Sequence, residues 1–240
     1  MSAAILTILG PLVASALILL VRRMPGPLAL AGAAVGLAGA GLTLTDPASP
    51  PRTAVVLPGL PDLPLRLVVD PLGVAMAATV AIVGFLVLCY AVGYMAGERD
   101  RPRFFAAMSF FVAAMQALVL AGDWILFLAA WELIGLASYL LIGFWFERPG
   151  VADAATRAFA TTRAADVGLY LGVFSLAWAA GTTDIAATMR LGGAAPAVAG
   201  LAFLVAAAGK SAQAPLQGWL MEAMAGPTPV SALLHSATLV

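Results

Sequence analysis

Apolar runs of about 18 residues or more recur along the whole of this chain, and they restrict its fold more than any other feature. A run of that length crosses the hydrocarbon of a bilayer when it is helical, because a helix satisfies its own backbone polar groups. Hydrophobic residues make up 62% of the 240, and charged residues only 10%. A soluble domain carries roughly 25% charged residues. The expected fold is therefore all-α, a polytopic membrane helix bundle in contact with the lipid bilayer.

Seven transmembrane helices and a truncated eighth are expected. The first covers Ala3–Val21, and the next five cover 28–44, 72–96, 104–121, 124–146 and 157–180. The seventh begins near Ala195 and continues past Lys210. The eighth opens near Pro229, and the chain stops inside it. The first run lacks a basic leader and is long enough to span, so it reads as a membrane helix and not as a cleaved signal.

Arginines alternate between loops. Arg22 and Arg23 follow the first span, Arg99, Arg101 and Arg103 follow the third, and Arg148 precedes the sixth, with Arg157 in its first turn. The other loops hold only Arg52, Arg66 and Arg190. The positive-inside rule then predicts a multi-pass protein of a prokaryotic cell (inner) membrane with its N-terminus outside. In the loop at 45–70, segments 54–57 and 65–69 flank Pro-Gly and Pro-Asp turns. A short hairpin and an irregular loop both remain open there.

The chain holds one lysine, Lys210, and one histidine, His235, both inside apolar segments. Glu132 is embedded in the fifth span. Ionisable groups in such places are costly and mark ion or proton routes. If Glu132 and Lys210 approach, each favours the charged form of the other; if they separate, the lysine tends to lose its proton. Such a pair works as a switch, although a static salt bridge that fixes packing is the competing reading. Arg163 and Asp166, three residues apart, share a helix face. They either neutralise each other or tune the field around Glu132. His235 titrates near neutrality when unperturbed and lies among Ser231, Ser236 and Thr238, so a relay and a hydrogen-bonded core role are both open.

The seventh span reads as broken. Pro215 follows Lys210 by five residues, among Ser211, Gln213 and Gln217. Proline removes a donor and frees a carbonyl one turn upstream, a device common near membrane ion sites. Glu222 is expected at an interface or helix end, and Asp123 as a helix cap. Trp124, Trp131, Tyr139, Trp145 and Phe146 suit interfacial belts and packing. Cys89, the single cysteine, reads as a small packing residue. No basic cluster suggests nucleic acid, no Cys/His cluster a metal site, and no glycine fingerprint a nucleotide.

Four stretches carry a resemblance: WELIGLASYLLIGF (131–144), AFATTRAAD (158–166), GKSAQAPLQGWL (209–220) and AMAGPTPVSALLHSATLV (223–240). They closely resemble the antiporter-like subunit L (chain 5) family of proton-pumping NADH:quinone oxidoreductase, respiratory complex I. Membrane subunits of multisubunit Na+/H+ antiporters and of inorganic-carbon uptake complexes share parts of the pattern. The resemblance extends over residues 69–240.

It implies proton translocation through Glu132, Lys210 and His235, with Arg163 and Asp166 as a modulating charge pair. It implies two parts: residues 1–103, with helices 1–3 and the outer loop 45–70, and residues 104–240, one antiporter-like repeat of helices 4–8. It implies no cofactor on this chain; NADH, FMN, iron–sulfur clusters and quinone belong to partner subunits. The other membrane-arm subunits are the implied partners, along with a missing C-terminal half or split partner. The chain departs from the pattern at Met221-Glu222, where the family has a small residue or proline followed by aspartate. A sodium/proton antiporter subunit, a carbon-uptake subunit and a truncated, non-transporting scaffold are the rival expectations.

Overall fold

The computed structural model describes residues 3–45, 52–57 and 65–236, with the backbone alone at 52–57, 235 and 236. Helices α1 (Ala3–Val21) and α2 (Pro25–Thr45) form an opening pair, followed by strands β1 (Arg52–Leu57) and β2 (Leu65–Val69). Helices α3 (Pro71–Tyr94), α4 (Arg101–Val119) and α5 (Trp124–Ile142) come next, and α5 runs into a 3-10 turn at Gly143–Trp145. The chain then builds α6 (Val151–Ala180), the short α7 (Ile185–Thr188), α8 (Ala194–Lys210), α9 (Gly218–Ala223) and α10 (Thr228–Ser236).

Among the described residues five helices are long and apolar enough to cross a membrane: α1, α2, α3, α4, and α5 extended to Trp145. Two further spans of the expected set differ in kind. Helix α6 is longer than expected, starting at Val151, and carries Asp153, Arg157, Arg163 and Asp166. Helix α8 has 17 residues, about 26 Å of rise, slightly less than the roughly 30 Å of a hydrocarbon core. The last residues of the expected eighth span, 237–240, lie outside the described residues.

Large apolar side chains face outward along the bundle, among them Leu20, Leu72, Leu86, Trp178 and Leu201. In water such a surface would drive aggregation; in a bilayer it meets acyl chains. Helix α4 is the most buried of the five candidate spans. It packs against α1, α2, α3 and α5 and fills the centre with Phe104, Phe105, Met108 and Phe111. Gln116 on α4 donates to the Ala77 carbonyl of α3 at 2.9 Å, and Ser15 on α1 donates to the Ala106 carbonyl of α4 at 2.8 Å. Cys89 differs from expectation: it sits beside buried Leu88 on α3 but points outward, because the next helix position turns about 100° away.

Lipid tails offer no hydrophobic drive for helices to associate, so close backbone approach must supply it. Helix α2 offers Gly32, Gly36 and Gly39 to α1, where a methyl on Gly32 would collide with Ala14. Helix α6 does the same towards α8: a methyl on Gly168 would strike the Ala202 carbonyl, and one on Gly172 the Phe203 ring.

One end of the bundle is closed by hydrogen bonds between loops distant in sequence. Strands β1 and β2 pair antiparallel, from Arg52↔Val69 to Leu57↔Leu65, so the hairpin alternative holds. The turn residues expected at 58–64 lie outside the described residues. Val68 N–H donates to Leu120 at 2.8 Å, and Gly122 N–H donates to Arg66 at 2.8 Å. Trp124 N–H reaches Thr183 at 2.9 Å, and Arg66 pairs with Asp184 at 2.8 Å. Asp123 caps α5 by accepting from Leu126 N–H at 2.8 Å and also takes Arg66 N–H at 2.6 Å. These are the arginine-poor loops, expected on one side of the membrane.

The arginine-rich loops gather elsewhere. Arg99, Arg103 and Arg148, with Phe144 and Trp145, line a cavity of about 530 Å³. A second, of about 420 Å³, lies between the start of α6 and Glu222.

Candidate proton-transfer site

Helix α8 ends at Lys210 for reasons visible in the backbone. Ala212 takes a left-handed conformation (φ 52°), Gln213 N–H reaches back to the Ala208 carbonyl at 2.8 Å, and Ala212 N–H to Gly209 at 3.3 Å. That pattern is a Schellman motif, with alanine where glycine is usual. The stop falls before Pro215 and does not wait for it. The polar residues around the break supply donors to the carbonyls: Gln213 Nε2 donates to Ser211 at 3.0 Å, and Trp219 Nε1 donates to Gly209 at 2.9 Å. Buried backbone groups are almost always paired, and here the side chains do the pairing. Helix α9 then resumes at Gly218, so the expected broken helix is present.

An alanine in the left-handed region carries strain of roughly 1 kcal/mol that glycine avoids. Ala212→Gly is therefore expected to raise stability by up to about 1 kcal/mol, read as a higher thermal unfolding midpoint in detergent. A lower midpoint would mean that Ala212 is not left-handed in the folded protein.

Lys210 is 5% exposed, and Asp166 is fully buried. The Lys210 ammonium lies 5.1 Å from the Trp131 ring centroid. A methyl on Gly135 would stand 3.5 Å from Lys210 Nζ and overlap the Arg163 guanidinium. The missing side chain of Gly135 on α5 thus leaves the space that the Arg163 guanidinium occupies beside Lys210 Nζ. Asp166 and Arg163 are the charged neighbours that act on Lys210.

Arg163 joins the two acidic groups. Its Nη1 pairs with Glu132 Oε2, its Nη2 reaches the Glu132 carbonyl at 3.4 Å, and its Nε stands 3.6 Å from Asp166 Oδ2. Its guanidinium also lies 4.9 Å from the Phe159 ring centroid. Tyr170 donates its hydroxyl to Glu132 Oε1 at 2.6 Å. Trp131 donates its indole N–H to Asp166 Oδ1 at 2.6 Å.

The structure therefore brings four of the five expected residues together: Glu132, Arg163, Asp166 and Lys210. It changes one link. Among the described residues Glu132 makes no ion pair with Lys210; Arg163 takes Glu132, and Asp166 is the carboxylate whose charge acts on Lys210. The rigid planar fork of arginine spans the two carboxylates, where a lysine would offer a single compact charge. His235 falls on α10, and its side chain lies outside the described residues. Glu222 meets expectation as an end residue: it pairs with Arg157 at 3.2 Å and ties α9 to α6.

Two members of the cluster were not expected. Trp131 reads in sequence as a packing aromatic, yet it touches both Asp166 and Lys210. Tyr170 carried a usable signal. Arg163, Asp166 and Tyr170 stand at i, i+3 and i+7, one face of a helix.

Comparison with known proteins gives three findings. Residues 121–240 match the family described as NADH:quinone oxidoreductase/Mrp antiporter, TM, and residues 59–105 match NADH-ubiquinone oxidoreductase (complex I), chain 5 N-terminus. The chain is 46% identical over 181 residues to NADH-quinone oxidoreductase subunit L of Mycobacterium tuberculosis (strain ATCC 25618 / H37Rv), covering 72% of this chain and 28% of that protein. It is 41% identical over 188 residues to NAD(P)H-quinone oxidoreductase chain 5 of Synechocystis sp., covering 74% and 28%. Among solved structures, the Mrp complex from Dietzia sp. DQ12-45-1b superposes with a TM-score of 0.86 at 28% identity, covering 99% of this chain and 27% of that one. The chain thus spans little more than a quarter of the length of these relatives.

Proposed function

The chain belongs to the NADH:quinone oxidoreductase/Mrp antiporter transmembrane family, and from that premise we propose that it translocates protons as the antiporter-like subunit of a complex I-type enzyme. Lys210 is the proposed proton carrier, Glu132 the group that sets its state, and Arg163 with Asp166 the modulating pair. His235 passes the proton onward. The redox work, with NADH, FMN, iron–sulfur clusters and quinone, belongs to partner subunits of the membrane and peripheral arms. In this reading the N-terminus faces outside a prokaryotic cell membrane and the arginine-rich loops face the cytoplasm. Residues 104–240 act as the ion-handling repeat, and residues 1–103 brace it.

The observation that carries the proposal is the charge balance around the broken helix. Glu132, Arg163, Asp166 and protonated Lys210 sum to zero. Loss of the lysine proton leaves one uncompensated negative charge in a low-dielectric interior, which is costly. Arg163 decides when that loss is tolerable. While its Nη1 engages Glu132, Asp166 is left to favour the ammonium. A shift of the guanidinium onto Asp166 removes that support and releases the proton. A signal arriving as charge at Glu132 is thereby converted into a proton at Lys210.

Glu132→Gln, assayed as quinone-driven proton flux in vesicles holding the full assembly, is expected to lower flux roughly tenfold with the complex intact. Wild-type flux in that variant would reject the role given to Glu132. The likeness to the Mrp complex favours one second reading, a cation/proton antiporter subunit. Flux that requires sodium and proceeds without quinone reduction would select it.

A further inference from the structure

We propose that Trp131 is a positioning residue that holds Lys210 in its proton-loaded state through the face of its indole ring. The assignment rests on the carrier role given to Lys210 above. The ammonium lies 5.1 Å from the ring centroid, and tryptophan is the strongest aromatic partner for a cation. The attraction acts on an ammonium and not on a neutral amine. It therefore distinguishes the loaded carrier from the empty one, which a passive packing surface would not do.

The ring is held in that attitude from two directions. Its N–H donates to Asp166 Oδ1 at 2.6 Å, a short charge-assisted bond to a fully buried carboxylate. Phe127, one turn earlier on α5, stacks on it with centroids 5.8 Å apart and planes at 26°. Rotating the indole away would strip Asp166 of that bond, and its other oxygen, Oδ2, has no hydrogen-bond partner among the described residues.

The groups that act on Lys210 are of three kinds. Asp166 attracts it from α6, Arg163 repels it from α6, and Glu132 on α5 acts through Arg163. A third carboxylate would add attraction, but also a charge needing its own counterion and a competing proton acceptor. An aromatic face adds attraction with no net charge and no titration. Trp131 thus favours the ammonium while leaving the cluster neutral when loaded.

The test is site-specific replacement of Trp131 by mono-, di- and trifluorotryptophan in the full-length subunit, assembled and reconstituted in vesicles. Fluorine drains electron density from the ring face with little change in shape, and it makes the N–H a better donor. Proton flux is expected to fall stepwise, reaching about tenfold with the trifluoro ring. Trp131→Phe, which keeps a ring face and loses the N–H, is expected to retain more flux than Trp131→Leu. A flat or rising response across the fluorinated series, with Lys210→Ala still inactive, overturns the role of Trp131 alone. If Lys210→Ala itself pumps normally, the carrier reading fails first and takes this one with it. Native-gel assembly of each variant separates these results from misfolding.

Discussion

Replacing Lys210 with alanine is expected to reduce quinone-driven proton flux on the order of a hundredfold while NADH oxidation by the assembled complex continues. Lys210 is the only lysine in the chain and is 5% exposed, so no second amine stands in for it. The Arg163 guanidinium cannot take over, because it does not deprotonate in proteins. Asp166 keeps its bond from Trp131 and its contact with Arg163, so the cluster loses its proposed carrier without losing all its partners. Electron transfer and flux measured on the same vesicles test the expectation. Pumping at the wild-type proton-to-electron ratio would show that protons bypass Lys210.

Removing Arg163 is expected to destabilise the protein more than any other single change in the cluster. The guanidinium lies between Glu132 and Asp166, and its loss leaves two carboxylates without their shared counterion. Breaking a buried pair by deleting one partner costs about 3–5 kcal/mol. Glu132 is a third exposed and Arg163 a fifth, so solvent screening lowers the figure for Arg163→Ala to about 2–3 kcal/mol. Arg163→Lys keeps the charge but not the fork, and about half of that loss is expected. Adding Glu132→Gln to Arg163→Ala should recover part of the stability, because it removes one stranded charge. Unfolding in detergent–denaturant mixtures reads all three. Additive losses in the double variant would mean that the two side chains are not coupled.

The parts of this site legible in the sequence are those where a residue type conflicts with its surroundings. A lysine and a glutamate inside apolar runs have few structural reasons to be there, and both lie in the cluster. The break in the seventh span was visible from Pro215 and its polar neighbours. Its position was not, because the stop depends on the left-handed turn at Ala212, and alanine gives no hint of one. The placement of Arg163 was half legible. Spacing puts it beside Asp166, but its reach to Glu132 depends on how closely α6 approaches α5, where Gly135 leaves room. Trp131 was hidden, because a tryptophan in an apolar run gives the same signal whether it faces lipid or an ammonium. The β1–β2 pairing was one of two open readings; only its docking onto Leu120 and Gly122 explains why a short hairpin persists there.

That docking has a mechanical consequence. With the hairpin, the α4–α5 turn and the segment before α7 stitched together through Arg66, Asp123 and Asp184, the helices are clamped at one end. At the opposite end the arginine-bearing loops line two cavities, crossed by the exposed pair of Arg157 and Glu222 and by Arg103, which donates to the Phe144 carbonyl. Local opening favours the less bonded region. Any splaying of the helices is therefore expected to pivot about the stitched rim, like tweezers about their joint, with the arginine-rich mouth as the side that admits water.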